Sequence, residues 1–122
     1  MATENVTAAD FNELISNNEI VIIDFWAPWC GPCRSFAPIY EKVSERHADI
    51  VFAKVNTEEE EELSSHFQIR SIPTLMIFRE QVVLFAQPGM LSESQLDEVI
   101  GKVREVDMAK VHEEIAKQDQ PE

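Results

Sequence analysis

The 122-residue chain has two cysteines, Cys30 and Cys33, in the run Cys30-Gly31-Pro32-Cys33. The first residues, Met1-Ala2-Thr3-Glu4-Asn5, show neither the basic nor the apolar part of a secretory leader. In such a chain this spacing signifies redox chemistry or half of a metal site rather than a structural staple. The metal reading needs more ligands. His47, His66 and His112 are far apart and do not supply the close pair of a compact zinc site, so no metal is expected. The redox reading needs a sulfur that ionises easily. Cys30 stands where a helix is expected to begin, and a helix N-terminus offers unpaired N–H groups and a partial positive charge. That setting lowers a thiol from ~8.5 toward neutrality and makes it nucleophilic. Cys33 is one helical turn further on, within reach of the first sulfur. The pair therefore supports a cycle in which Cys30 attacks a substrate disulfide, a mixed disulfide forms, and Cys33 displaces the reduced substrate.

The surrounding sequence supplies the elements that such a pair requires. Residues 20–26 are β-branched and apolar apart from Asp24, and they read as a strand covered on both faces. Pro28 and the cysteines follow. The next helix carries Phe36, Ile39, Tyr40 and Val43, with Pro38 inside it, where the missing N–H is expected to produce a kink. Upstream, Thr7 is a candidate N-cap for a short helix with Phe11, Leu14 and Ile15 on one face, ended by Asn17-Asn18. Residues 50–55 form a second buried strand. Asn56-Thr57 is expected to cap a helix opened by the five glutamates at 58–62, whose charge complements the helix dipole. The acidic run thus reads as a solvated helix end rather than a recognition patch. Residues 74–78 and 82–85 make an antiparallel pair about Arg79-Glu80-Gln81, and Ser92-Glu93-Ser94-Gln95 is a capping box opening a helix with Leu96, Val99, Ile100 and Val103. This alternation predicts an α/β domain with a central mixed β-sheet flanked by α-helices. Met108, Val111 and Ile115 continue an apolar stripe, so the last helix is extended or followed by another. The chain divides into one domain, 1–106, and a C-terminal helical extension, 107–122.

With those elements in place, the segment Trp26-Ala27-Pro28-Trp29-Cys30-Gly31-Pro32-Cys33-Arg34, preceded by Asp24-Phe25, resembles the active-site segment of the thioredoxin family. Ile72-Pro73-Thr74 resembles that family's cis-proline loop, and the similarity runs in order from about residue 5 to 106. The resemblance implies a thioredoxin fold and a thiol-disulfide oxidoreductase that reduces protein disulfides. It implies no bound cofactor, disulfide-containing proteins as substrates and recycling by a thioredoxin reductase. Gly-Pro between the cysteines looks like the reducing members. Carried over, Cys30 is the attacking thiolate and Cys33 the resolving thiol. Asp24 becomes the candidate general base for Cys33, working through water, with Lys54 on the neighbouring strand as its charge partner. Pro73 is expected to follow a cis peptide that exposes backbone groups to a substrate strand. Trp29, Gly31, Ile72 and Gly89, with Pro32 in support, form a flat apolar docking surface. The chain departs from the family at Gln81, where the hairpin turn often holds glycine, and at Pro88, which stiffens one wall of the substrate groove.

Charge and hydropathy set the outer limits. With 23 acidic and 10 basic residues, net −13 and a pI near 4.5, the chain repels phosphate backbones, so nucleic acid and anionic membranes are poor partners. The longest apolar run, Val82-Val83-Leu84-Phe85-Ala86, falls far short of the ~18 residues of a membrane span. A soluble, cytoplasmic protein is expected. The alternative is an interaction or chaperone-like module that binds partners through its docking surface and C-terminal extension. A cysteine pair beside Asp24 and Pro73 argues against it, because a scaffold needs none of them.

Overall fold

The computed structural model describes residues 2–118. It runs β1 (Thr3–Asn5), α1 (Ala8–Asn17), β2 (Ile20–Trp26), α2 (Gly31–Ser44), β3 (Val51–Asn56), α3 (Glu61–His66), β4 (Thr74–Arg79), β5 (Val82–Pro88), α4 (Glu93–Glu105) and α5 (Met108–Gln118). The strands form one sheet in the order β1-β3-β2-β4-β5. β3 is parallel to both β1 and β2, whereas β4 is antiparallel to β2 and to β5, so the sheet is mixed as expected.

β2 lies at the centre and is buried from Ile20 to Phe25. Successive side chains of a strand point to opposite faces, so this burial requires two cores. On one face, Ile20 and Ile22 pack with Phe36, Tyr40 and Val43 of α2 and with Leu96, Ile100 and Val103 of α4. On the other, Val21, Ile23 and Phe25 pack with Phe11 and Ile15 of α1, Leu63 of α3, and Met76 and Phe78. Phe67 joins Phe11, Phe25 and Phe78 there, with edge-to-face or tilted rings. The fully buried Tyr40 places its hydroxyl 2.7 Å from the Ala53 carbonyl and 3.0 Å from that of Ile22. It donates to these acceptors and so ties α2 to two neighbouring strands.

Two features differ from the sequence reading, and a third decides between its alternatives. β1 is a strand of three polar residues with no apolar alternation, and pairing makes it: Thr3 lies opposite Phe52 and Asn5 opposite Lys54. The Glu41 carboxylate holds it to α2, accepting from the Ala2 N–H at 2.8 Å and the Thr3 hydroxyl at 2.6 Å. Second, the helix after β3 begins at Glu61 and not at Glu58. The Asn56 side chain accepts the Glu58 N–H at 3.0 Å and stabilises a turn, a local bond that competes with helix. The Glu60 carboxylate is used elsewhere, accepting from the Ala8 N–H at the start of α1 at 2.8 Å. Only Glu61 and Glu62 lie in the first turn of α3.

Third, of the two forms open to the C-terminal stripe, the second is present. α4 stops at Val106, which is extended, and α5 restarts at Met108. The Arg79 guanidinium donates to the carbonyls of Val103, Arg104 and Val106 at 2.9, 3.2 and 3.0 Å, taking acceptors at the end of α4. Asp107 then caps α5 by accepting from the Lys110 N–H at 3.2 Å. Met108 is buried and His112 meets Glu80 at 3.0 Å, so α5 folds back toward the β4–β5 hairpin. Positions 119–122 of the extension lie outside the described residues. No helix among the described residues is long and apolar enough to cross a membrane.

The hairpin turn answers the question raised by Gln81. Glu80 and Gln81 both occupy the left-handed region, with φ of 50° and 68°, the arrangement that two-residue hairpins favour and that glycine accommodates best. An L-residue loses roughly 1–2 kcal/mol there, while glycine gives back about 0.5–1 kcal/mol in chain entropy. Gln81→Gly should therefore stabilise the fold by about 0.5–1 kcal/mol. Chemical denaturation should show a higher midpoint with an unchanged slope; a lower midpoint would contradict the left-handed turn.

Candidate active site

β2 delivers the chain to the sheet edge at Trp26, and residues 27–29 turn it into α2. Cys30 is the N-cap of that helix. Its N–H donates to the Ala27 carbonyl at 3.2 Å, which closes the turn, and its own carbonyl accepts the Arg34 N–H at 3.1 Å. Gly31 and Pro32 fill the first helical positions, where a missing proline N–H costs nothing. The Cys33 N–H points back at Cys30 and reaches its Sγ at 3.2 Å. The two cysteines are joined as a disulfide, with their Cα atoms 5.2 Å apart. Both are almost wholly buried, against Ala27, Trp26 and Ile72.

The opposite wall comes from the segment before β4. The Ile72 carbonyl oxygen lies 3.7 Å from Cys30 Sγ. The Ile72–Pro73 peptide is cis. The Gly89 N–H donates to the Pro73 carbonyl at 2.8 Å, and Gly89 adopts φ +94°, a conformation side chains resist. Cys30, Cys33, Ile72, Pro73 and Gly89 thus converge by direct contact, although they are up to 59 positions apart in the chain. Trp29 is 64% exposed, the most exposed large apolar side chain described, and Gly31 and Pro32 are exposed beside it. Trp26 is half-buried and serves the packing.

Asp24 is 1% exposed and shares the α2-covered face with Ile20 and Ile22. Its Oδ1 has no hydrogen-bond partner. Burial pushes its carboxyl up to about 7, against a smaller downward pull from Lys54. The carboxylate in turn adds to the effect of burial in holding the Tyr40 phenol well above its ordinary value. The structure places Lys54 opposite Asp24 in the strand register, but no ion pair joins them among the described residues. The Lys54 ammonium instead sits 4.6 Å from the centroid of the Trp26 ring. A long flexible side chain gains more by covering an aromatic face at the sheet margin than by desolvating its charge fully beside Asp24.

Sequence reasoning missed two contributors. The Trp29 indole N–H donates to the Glu58 carboxylate, and Thr57 fixes the end of β2 by donating its N–H to the Trp26 carbonyl at 2.9 Å. Neither leaves a local signal. Glu58 was hidden in a run that resembled the first turn of a helix.

A thioredoxin family model matches residues 2–102. A putative thioredoxin 2 of Streptomyces coelicolor is 52% identical over 117 residues, covering 96% of this chain and 87% of that protein. A thioredoxin of Alicyclobacillus acidocaldarius is 43% identical over 105 residues, covering 81% of this chain and 99% of that one. Among solved structures, a thioredoxin of Plasmodium falciparum is similar with a TM-score of 0.76 at 38% identity, covering 81% of this chain and 97% of its own. With a strand feeding a helix capped by one of two disulfide-bonded cysteines inside a five-stranded mixed sheet, and with these matches, the chain belongs to the thioredoxin family of thiol-disulfide oxidoreductases.

Proposed function

We propose that the protein works in the reducing direction, cleaving disulfides of protein substrates in the cytoplasm, with Cys30 as nucleophile, Cys33 as resolving thiol and Asp24 as proton acceptor. A thioredoxin reductase then returns the pair to the dithiol. The observation that carries this reading is the Cys33 N–H aimed at Cys30 Sγ across 3.2 Å at the start of α2. In the dithiol state the same donor and the partial charge of the helix end stabilise a thiolate on Cys30. That thiolate attacks one sulfur of the substrate disulfide, the substrate S–S bond breaks, and a thiolate leaves. Cys33 gives its proton to the Asp24 carboxylate through water and attacks Cys30 Sγ. The Cys30–Cys33 bond forms, the mixed disulfide breaks, and the second substrate thiolate is released. Two electrons have passed to the substrate.

Asp24 suits its part because burial holds it near neutrality, where a carboxyl both accepts and returns a proton readily. Lys54 tunes it at a distance by opposing charge. Trp29, Gly31, Pro32, Ile72 and Gly89 surround the sulfurs with little charge, and the backbone at Ile72 and Pro73 supports an extended substrate segment. Residues 107–122 lie outside this machinery and are read as an extension to the domain of residues 1–106.

Three outcomes test the reading. Cys33→Ser should accumulate a mixed disulfide through Cys30 when mixed with oxidised insulin, whereas Cys30→Ser should accumulate none; mass spectrometry under non-reducing conditions distinguishes the two, and trapping by Cys30→Ser would reverse the assigned order. Asp24→Asn should slow insulin reduction roughly ten- to a hundredfold at neutral pH. It should also stabilise the fold in a pH-dependent way. A folded value near 7 against an unfolded one near 3.8 disfavours the ionised form in the folded state. The resulting destabilisation is absent below about 4, grows as pH rises to about 7, and is complete above it. Urea denaturation should accordingly show the mutant gaining on the parent by roughly 3–4 kcal/mol between pH 4 and pH 8. A constant difference across that range would refute the raised carboxyl. Finally, deletion of 107–122 should leave insulin reduction near the parent rate while lowering the melting temperature by several degrees, because the buried Met108 is lost.

A further inference from the structure

The sheet face that α1 and α3 cover runs out at its β5 edge, and a groove of about 250 Å³ opens there beside the Ile72–Pro73 loop. Its floor consists of two cross-strand pairs, Thr74 with Pro88 and Met76 with Ala86. These residues share one face because they are two positions apart in each strand. Ala86 is small and exposed, and it leaves the depression. Ile69 and Arg70, from the segment that joins α3 to β4, form the wall. Ser71 and Thr74, which also line the groove, flank the Ile72–Pro73 peptide, and the Ile72 carbonyl stands 3.7 Å from Cys30 Sγ, so the groove lies beside the loop that touches the disulfide.

Apart from Lys54, three cations of this acidic chain, Arg34, Arg70 and Lys110, meet no carboxylate among the described residues, and of these only Arg70 lines the groove. Lys42, Arg46, Arg79, Lys102, Arg104 and Lys117 all meet carboxylates, and Lys54 covers Trp26. Arg70 is exposed and has no carboxylate within ion-pair distance among the described residues. We propose that this groove binds the segment of a partner protein that flanks its disulfide cysteine, seating an apolar side chain over Met76 and Ala86 and a carboxylate against Arg70. The proposal rests on the disulfide-exchange reading above and adds a substrate class: disulfides flanked by one apolar and one acidic residue. An extended segment advances about 3.3 Å per residue, so a substrate whose cysteine reaches Cys30 carries its next few residues over this floor. A second copy of the chain is a poorer occupant, because it would bring a net charge of −13 against an equal charge. A short segment with a single carboxylate feels chiefly the local guanidinium.

The test uses full-length protein, with dithiothreitol as regenerant, and two cystine-linked peptides of equal length. One has Leu and Glu beside the cysteine, the other Leu and Lys, and bis(hydroxyethyl) disulfide serves as a substrate with nothing to dock. The parent should show the lower KM for the Glu peptide. Arg70→Glu should raise that KM about three- to tenfold at low ionic strength, with kcat unchanged and the difference shrinking as salt is added, and should not raise KM for the Lys peptide. Ala86→Phe, which fills the groove, should raise KM for both peptides. Both variants should keep the parent rate on the small disulfide. Equal KM values for the two peptides in parent and Arg70→Glu protein overturn the proposal, as does a parental KM in Ala86→Phe. If Ala86→Phe alters sedimentation from dimer to monomer and leaves KM unchanged, the groove is a self-association face and the proposal fails. Failure of the parent on the small disulfide overturns the exchange reading instead, which separates the two conclusions.

Discussion

A strand buried on both faces has no room for a charge without a partner, yet β2 carries Asp24 at its centre with one carboxyl oxygen unpaired. Everything near the disulfide depends on how that conflict is resolved. The sheet needs β2 apolar on both sides because α2 and α4 cover one face and α1 and α3 the other. Asp24 is accommodated because its carboxyl binds a proton near neutral pH, so the buried group need not be an ion, and the fold bears the cost of that protonation. The same burial that weakens the fold gives the site a group able to exchange protons. A lysine in direct contact would have removed the conflict by holding the carboxyl as an ion. Lys54 instead lies over Trp26, close enough to moderate the carboxyl and too far to fix it as an ion.

The helix that carries the cysteines is anchored by means independent of them. Tyr40 reaches the carbonyls of Ile22 and Ala53, Phe36 and Val43 are fully buried, and the Glu41 carboxylate holds β1. Loss of the disulfide on reduction therefore leaves α2 and its N-terminus in place, and the donor that faces Cys30 persists into the state that must attack. At the other end of the helix, Arg46 meets Glu93 and Asp97, and Arg104 meets Asp49, whose carboxyl that arginine's hydrogen bonds draw down to about 2. These pairs are exposed and individually weak. They fix the relative position of α2 and α4 more than they add stability.

Features carried by short-range pattern were legible before any coordinates. The apolar run of β2, the Ser92–Gln95 capping box and the two strands of the hairpin each rest on neighbours within a few positions, and each appears where periodicity puts it. The cysteine pair was legible for the same reason. What escaped depends on distant partners. Thr3–Asn5 becomes a strand only because β3 offers an edge. The start of α3 shifts because the Asn56 side chain claims the Glu58 N–H and the Ala8 N–H claims the Glu60 carboxylate. The break after α4 is made by Arg79, which reaches across from β4. The position of Lys54 over Trp26 and the bond from Trp29 to Glu58 involve pairs 28 and 29 positions apart, and no periodicity encodes them.

A net charge of −13 gives this protein a long-range field that slows the approach of other acidic proteins and does not vary much between them. Discrimination has to come from contacts made after encounter. Around the sulfurs those contacts are apolar: Trp29, Pro32 and Ile72 offer area without charge. An apolar surface alone distinguishes poorly between disulfides, because burying a methylene is worth similar amounts in any sequence. The unpaired Arg70 guanidinium at its margin changes this. Arg70 is screened over a distance comparable to the protein's own radius, so it cannot steer encounter, but it discriminates among segments already in contact. Affinity and selectivity then reside on different residues, the first set by the surface beside Cys30 and the second by the groove along β5. Either can change without disturbing the thiolate, the helix that stabilises it or the buried carboxyl behind it.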